Sequence, residues 1–292
     1  MTLEQLRLFV AVAEREHVTR AAAALNRTQS AVSAAIAGLE EQSGVTLFHR
    51  VGRRIVLSEE GRLFLAEARA VVAQADAAQR ALSDLAGLKR GLLTVMASQT
   101  IASYWLPSRL AAFHARHPQV AINALAGNTA DVAAAVLDGR VEIGLAEGAV
   151  EDPMLEQTLV GHDRLVIVAP AGHAWTKKPP RLGDLEKENW VLREPGSGTR
   201  SAFAAALAEK GVDAAKLKVS LELPSNEAVR IAVRDGAGVS ALSELVAEAG
   251  VKFGAIQPVK FALPERPFHA LRHRERYLSR SGLAFMDMAR NA

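Results

Sequence analysis

Two short helices joined by a tight corner constrain this chain more than any other stretch of it. Residues 18–57 read VTRAAAALNRTQSAVSAAIAGLEEQSGVTLFHRVGRRIVL. Thr19 is a good N-cap for a first helix, whose apolar positions Ala22, Ala23 and Leu25 precede a corner at Asn26-Arg27. Asparagine tolerates the left-handed backbone that ends a helix and turns the chain. Thr28 then caps a second helix that stops at Gly44. Val32, Ile36 and Leu39 fall on one face of it at helical spacing, which leaves Gln29, Ser30 and Ser33 near its N-terminus pointing elsewhere. Small alanines in the first helix allow the two to cross closely. The pattern predicts a helix-turn-helix, in which N-terminal side chains of the second helix read base edges in the major groove.

A basic hairpin follows. No acidic residue occurs from Gln42 to Ser58, but Arg50, Arg53 and Arg54 surround a turn at Gly52. Leu47-Phe48 and Ile55-Val56-Leu57 flank that turn as strands. A wing with cations at its tip suits phosphates or the minor groove. The plainer alternative is a three-helix bundle whose arginines are merely solvated. The expected DNA contacts are Thr28, Gln29, Ser30, Ser33, Arg50, Arg53 and Arg54.

The chain as a whole carries a formal charge of only +3 over 292 residues, so affinity for nucleic acid must come from local clustering. There is no cysteine, which excludes disulfides, thiolate metal sites and a cysteine nucleophile. The opening MTLEQLRLFVAVAERE places charges inside an apolar pattern and does not read as a signal peptide. Apolar runs such as LVIVAPAG are too short to span a bilayer. A cytoplasmic protein without membrane attachment is expected.

Residues 3–15 form an amphipathic helix on which the two motif helices can rest. Ser58-Glu59-Glu60 starts a long helix, a capping residue followed by acids where the helix dipole favours them. It runs to about Leu88. Leu63, Ala66, Ala70, Ala73, Ala77, Ala81, Leu85 and Leu88 recur along it every three or four residues, a narrow seam suited to a second helix. A dimerisation helix is expected; the alternative is a helix lying against its own domain.

From Gly91 onward strands alternate with helices, which implies βαβ units and a parallel sheet covered on both faces. A second such series begins at Leu165. Two α/β lobes with a cleft between them account for the order, the chain crossing near Gly161-His162-Asp163 and again near Leu263-Pro264. Polar residues stand at the βα junctions: Ser98 and Thr100, Asn128 and Thr129, Ser197 and Thr199, and Asn226. Ligands of open sheets bind at the carboxyl ends of strands, where free helix-start amides favour anions. The loop Glu194-Pro195-Gly196-Ser197-Gly198-Thr199-Arg200 adds glycines and the cation of Arg200. It lacks the lysine of a nucleotide-phosphate loop. These eight residues, Arg200 included, are the expected effector contacts. Each alone is simply a helix cap; together in two facing lobes they point to a small polar or anionic ligand.

Catalysis finds no support. His114 with His117, and His269 with His273, lack an acidic or cysteine ligand cluster, so neither pair is read as a metal site. No nucleophile elbow is present. Neither metal nor cofactor is expected.

LEQLRLFVAVAE and AAAALNRTQSAVSAAIAGLEEQSGVTLFHR, with the long helix and the two-lobed remainder, resemble the LysR-type transcriptional regulators over essentially the whole chain. REPGSGTR and SNEAVRIAVRDGAGVS are similar to the branch containing regulators of carbon dioxide fixation and of sulfur assimilation. Arg27 stands where many relatives carry a small polar residue. The resemblance implies an α/β protein in three parts. Residues 1–58 form a winged helix-turn-helix, 59–90 a linker and dimerisation helix, and 91–292 a periplasmic-binding-protein-like effector domain. Lobe I would comprise 91–161 and 265–292, lobe II 162–264. It further implies a non-enzymatic regulator that binds double-stranded DNA and a homotetramer built from dimers, with the effector bound between the lobes; that this effector is a small anion is the expectation from the junction residues. The alternative from the residues alone is a solute-binding or enzymatic α/β module with an N-terminal interaction domain.

Overall fold

Thr2 opens the first helix with a reciprocal cap: its hydroxyl accepts from the Gln5 amide, and the Gln5 side chain accepts from the Thr2 amide. The computed structural model describes residues 1–52, 54–85, 91–148 and 150–290. They group into two compact units, one centred on the N-terminal helices and one on the α/β remainder.

In the first unit α1 (Leu3–Arg15), α2 (Val18–Ala24) and α3 (Gln29–Ser43) precede a hairpin of β1 (Phe48–Val51) and β2 (Arg54–Leu57), then the long helix α4 (Glu59–Leu85). Phe9, Val12, Ala21, Val32, Ile36 and Leu39 form its core, closed by Phe48 and Leu57. Asn26 has φ 52° at the corner and Gly44 has φ 67° after α3, as their positions required. Thr28 caps α3, accepting from Ala31 N at 3.2 Å. The start of α2 differs from expectation. Its cap is the His17 imidazole, which accepts from Arg20 N, leaving Thr19 exposed. Ala21 and Ala22 are buried in the crossing, while Ala23 and Leu25 face outward.

Two contacts tie the wing to its flanking helices. The Glu40 carboxylate accepts from the amides of Leu47 (2.7 Å) and Phe48 (3.1 Å). Ser58 caps α4 through Gly61 N at 2.8 Å, and a Cβ on Gly61 would strike the Leu47 carbonyl. The expected end of α4 near Leu88 lies outside the described residues. The seam read from sequence splits in two. Ala73 and Ala77 are already buried within the chain, whereas Leu63 and Leu85 are exposed. Besides Leu63, Ala66 and Leu85 of that seam, α4 leaves Val71, Ala78 and Leu82 exposed.

The second unit starts with β3 (Leu92–Ser98), a π-helical segment Ile101–Trp105 continuing into α5 (Leu106–Arg116), β4 (Ala121–Gly127), α6 (Thr129–Leu137) and β5 (Ile143–Glu147). Strand β6 (Leu155–Pro170) leads to short helices α7 (Ala174–Lys177) and α8 (Leu182–Leu185), then β7 (Asn189–Arg193), α9 (Gly198–Ala208) and β8 (Lys218–Leu223). The chain continues through α10 (Asn226–Arg234), β9 (Ser240–Ser243), α11 (Glu244–Lys252), β10 (Ile256–Val259), β11 (Glu265–His273) and α12 (Arg280–Arg290). One sheet runs β10-β6-β11-β5-β3-β4 with β9 also on β6, and β7 pairs with β8.

The sheet is mixed rather than parallel throughout. Strands β3, β4 and β5 are mutually parallel, as are β7 and β8, but every partner of β6 is antiparallel. Residues 155–164 of β6 pair with β11, and residues 165–170 with β9 and β10. A single strand therefore serves both lobes. Its sequence alternates at the start and is continuously apolar at the end, which made only the second half legible as a strand. Leu93, Val95, Phe113, Phe268 and Phe285 build one lobe's core; Ile167, Trp190, Phe203, Leu207 and Ala241 build the other's.

Candidate DNA interface and interlobe site

Thr28, Gln29, Ser30 and Ser33 are all exposed at the start of α3. Gln29 and Ser33 line one hollow with Arg50, Gly52 and Arg54 of the wing and with Thr19. Helix and hairpin thus present amide, hydroxyl and cation on one concave surface. Arg50 and Arg54 have no ion-pair partner among the described residues, so their charges are available to phosphates. Arg53 lies outside the described residues. Thr28 is partly committed, since its hydroxyl caps α3 and lies 3.1 Å from that of Ser30. Arg27 is bound to Glu4 through Nε (3.0 Å) and a terminal nitrogen (2.9 Å), which draws it back onto α1. Thr19, which does not cap α2, lies on this surface together with His17, which does.

This geometry separates reading from anchoring. Gln29→Ala and Ser33→Ala are expected to lose about 1–3 kcal/mol at the specific operator while keeping most affinity for random DNA. Arg54→Ala should weaken both DNAs alike and reduce the salt slope by about one. Fluorescence anisotropy across a salt series measures both. Equal losses on the two DNAs for Gln29→Ala would remove that residue from base reading.

In the α/β unit the junction residues meet across the lobes. Asn226 Nδ2 donates to Thr100 Oγ at 3.1 Å, and Asn226 N donates to Gln99 Oε1 at 3.1 Å. Gln99 Nε2 donates in return to the Pro224 carbonyl (2.8 Å). Asn128 caps the start of α6 with its oxygen, accepting from Asp131 N, while its Nδ2 reaches Glu194 Oε1 at 3.4 Å. Ala130 N donates to the Gly196 carbonyl at 3.2 Å. Gly198 approaches Thr129 and the Glu147 carbonyl so closely that a Cβ would not fit. Ser197 caps α9. Ser98, Thr100, Ser197, Thr199 and Asn226 are buried, and the Ser98 hydroxyl has no hydrogen-bond partner among the described residues. Tyr104 OH donates to Glu227 at 2.9 Å, and burial together with that carboxylate pushes the phenol up to about 12.

Arg200 is placed differently from its expected role. Its guanidinium is bound to Glu222 and to the Arg193 carbonyl, so its charge is spent within one lobe. The cation among the cleft residues is Arg193, at the end of β7. Its Nη1 donates to Asn226 Oδ1 at 2.6 Å, while Nε and Nη2 hold both oxygens of Glu194 at 2.7 and 2.8 Å. Burial is the largest single influence on the Glu194 carboxyl and raises it, but the bonds and charge of Arg193, a backbone bond and the Asn128 amide together hold the group below the usual carboxylate range. A charged residue closing the apolar run WVLR was the sequence signal for Arg193. A second buried cation, Arg266, binds Asp163 through Nε (2.8 Å) and Nη2 (2.5 Å), donates to Thr199 Oγ (3.1 Å), and lies 3.6 Å from Glu147. Thr199 is therefore engaged by a protein cation. No group of residues with metal-ligand character occurs among the described residues. None of their helices is long and apolar enough to cross a membrane.

Both parts match known families. Residues 3–62 match the bacterial regulatory helix-turn-helix protein, lysR family, and residues 86–292 match the LysR substrate binding domain. The HTH-type transcriptional regulator YeiE of Escherichia coli K12 is 37% identical, over 98% of this chain and 96% of its own. A probable RuBisCO transcriptional regulator of Porphyra purpurea is 32% identical, over 83% of this chain and 78% of its own. Among solved structures, full-length CbnR complexed with its target DNA superposes with a TM-score of 0.68 at 21% identity, covering 100% of this chain and 99% of that one. The two family matches fall on the two parts of the chain, the helix-turn-helix with its wing and the two-lobed α/β unit. The chain belongs to the LysR family of DNA-binding transcriptional regulators.

Proposed function

We propose that a small anionic metabolite binds between the two lobes and alters how paired winged domains hold or bend their operator. Ser98 carries this reading. Its buried hydroxyl lacks a partner among the described residues at the carboxyl end of β3, in register with Gly127, the residue before Asn128. Leaving such a group unsatisfied costs about 1–3 kcal/mol, and a ligand oxygen would satisfy it. The start of α9 and the Arg193 guanidinium supply the donors that favour an anion. A ligand shifts the lobes only by its differential affinity for their arrangements, and the bonds from Asn226, Gln99 and Asn128 across the cleft are the ones such a shift would alter.

The chain acts by binding rather than catalysis, in the cytoplasm, on double-stranded DNA. It works as a homo-oligomer, a dimer through α4 and a tetramer of two dimers. The complex of full-length CbnR with its target DNA supports that partner. Two recognition helices would meet half-sites about one helical turn apart or a multiple of that.

Ser98→Ala tests the site, because the hydroxyl contributes no hydrogen bond to the free chain. The variant should melt no lower than the parent yet bind the effector roughly two- to tenfold more weakly, about 0.5–1.5 kcal/mol. Thermal-shift screening of metabolites selects the ligand, and calorimetry on the full chain measures it. An uncharged best ligand, or equal binding by the variant, would exclude this assignment.

A further inference from the structure

Arg193 and Glu194 are neighbours in sequence, yet their side chains meet in a two-point ion pair. That is the arrangement a ligand carboxylate or phosphate adopts on an arginine. The pair is lopsided in exposure: the Arg193 side chain is 4% exposed and that of Glu194 is 24%. Glu194 therefore covers the solvent side of the guanidinium. Its Oε1 also receives the amide of Asn128 from the facing lobe. Its backbone is pinned, since Glu194 N donates to the Leu223 carbonyl and Ser197 N to the Glu194 carbonyl. Only the side chain has freedom to leave. The other buried cation, Arg266, is held by Asp163 and Glu147. Neither buried cleft guanidinium has an uncompensated charge, although helix start and hydroxyls are laid out for an anion.

We propose that Glu194 is a resident competitor for the effector, a tethered carboxylate that occupies Arg193 and bridges to Asn128 until an incoming anion displaces it. The proposal rests on the cleft-anion reading above. Displacement exchanges one anion for another on the same guanidinium, so binding gains only the difference between them. A tethered group acts at high effective concentration, and a simple monocarboxylate repeats its two bonds without adding more. A tetrahedral oxyanion offers further acceptors. It can take the Arg193 Nε and Nη2 donors that Glu194 vacates and, with its remaining oxygens, the Ser98 hydroxyl and the α9 amides. The site thereby selects phosphate-like oxyanions over monocarboxylates.

Calorimetry with inorganic phosphate and with acetate, on the full chain and on Glu194→Gln, decides the matter. Glu194→Asp keeps the charge with a shorter reach, and Glu248→Gln on the exposed face of α11 matches the charge change at a distance. Glu194→Gln should bind phosphate at least about tenfold more tightly and acetate measurably, with Glu194→Asp between it and the parent. Circular dichroism establishes that each variant is folded. Phosphate binding by the parent with an unchanged or weaker constant in Glu194→Gln overturns the competitor role but leaves the cleft-anion reading standing. An equal gain in Glu248→Gln also overturns it, as a general charge effect. Failure of every variant to bind either anion overturns both.

Discussion

Arg266→Met is expected to destabilise the α/β unit by about 3–5 kcal/mol, the loss typical of removing one partner from a buried ion pair. Arg266, Asp163 and Glu147 are each buried, and the arginine is the only cation in contact with these two carboxylates among the described residues. Ser243 donates to Asp163 Oδ1 at 2.8 Å and Thr129 to Glu147 at 3.3 Å, but two hydroxyls cannot neutralise two charges. All three tryptophans, Trp105, Trp175 and Trp190, lie in this unit, so urea unfolding followed by tryptophan fluorescence reports on it directly. Adding Asp163→Asn and Glu147→Gln to the variant should recover much of the loss. A cost below about 1 kcal/mol for Arg266→Met alone would mean that water reaches the carboxylates and that the cluster does not hold the lobes' shared strands together.

Val71→Glu combined with Leu82→Glu is expected to dissociate the dimer and lower affinity for a two-half-site operator by at least about a hundredfold, the scale on which linked binding exceeds single-site binding. Val71, Ala78, Leu82 and Leu85 follow one another at coiled-coil spacing, with Val71 49%, Leu82 62% and Leu85 80% exposed. Ala73 and Ala77, the middle of the seam read from sequence, are the wrong positions to charge. They are buried within the chain, and a glutamate there would disrupt its own fold. Sedimentation at micromolar concentration should give half the parental mass, with affinity for an isolated half-site retained. An unaltered mass would place the dimer contact elsewhere.

Local chemistry made much of this protein legible before its fold was known. Thr28, Ser58, Ser197 and Ser225 cap helices through amides three residues on, and Asn26 and Gly44 take left-handed backbone where a helix ends. Such interactions span a single turn, so neighbouring residues encode them and the helix-turn-helix with its wing can be read directly. The βα junctions were legible for the same reason. What those junctions hold was not. His17, in extended backbone, caps α2 in place of Thr19, which lies one residue inside the helix. Ala73 and Leu82 are apolar residues on opposite faces of α4, and only packing decides which of the two faces is covered and which is left open. The first half of β6 becomes a strand through β11, about a hundred residues away, as its register Arg164 to Glu265 requires. Arg200 and Arg193 flank the same glycine loop, but Glu222 takes the charge of the first while Asn226 draws the second among the cleft residues. The sequence by itself determined the helix-turn-helix corner, the caps of α3, α4, α9 and α10, and the polar residues at the βα junctions. Which cation lines the cleft, and which carboxylate already sits on it, was decided only by tertiary structure, because charges pair through space and no periodicity along the chain records the partner.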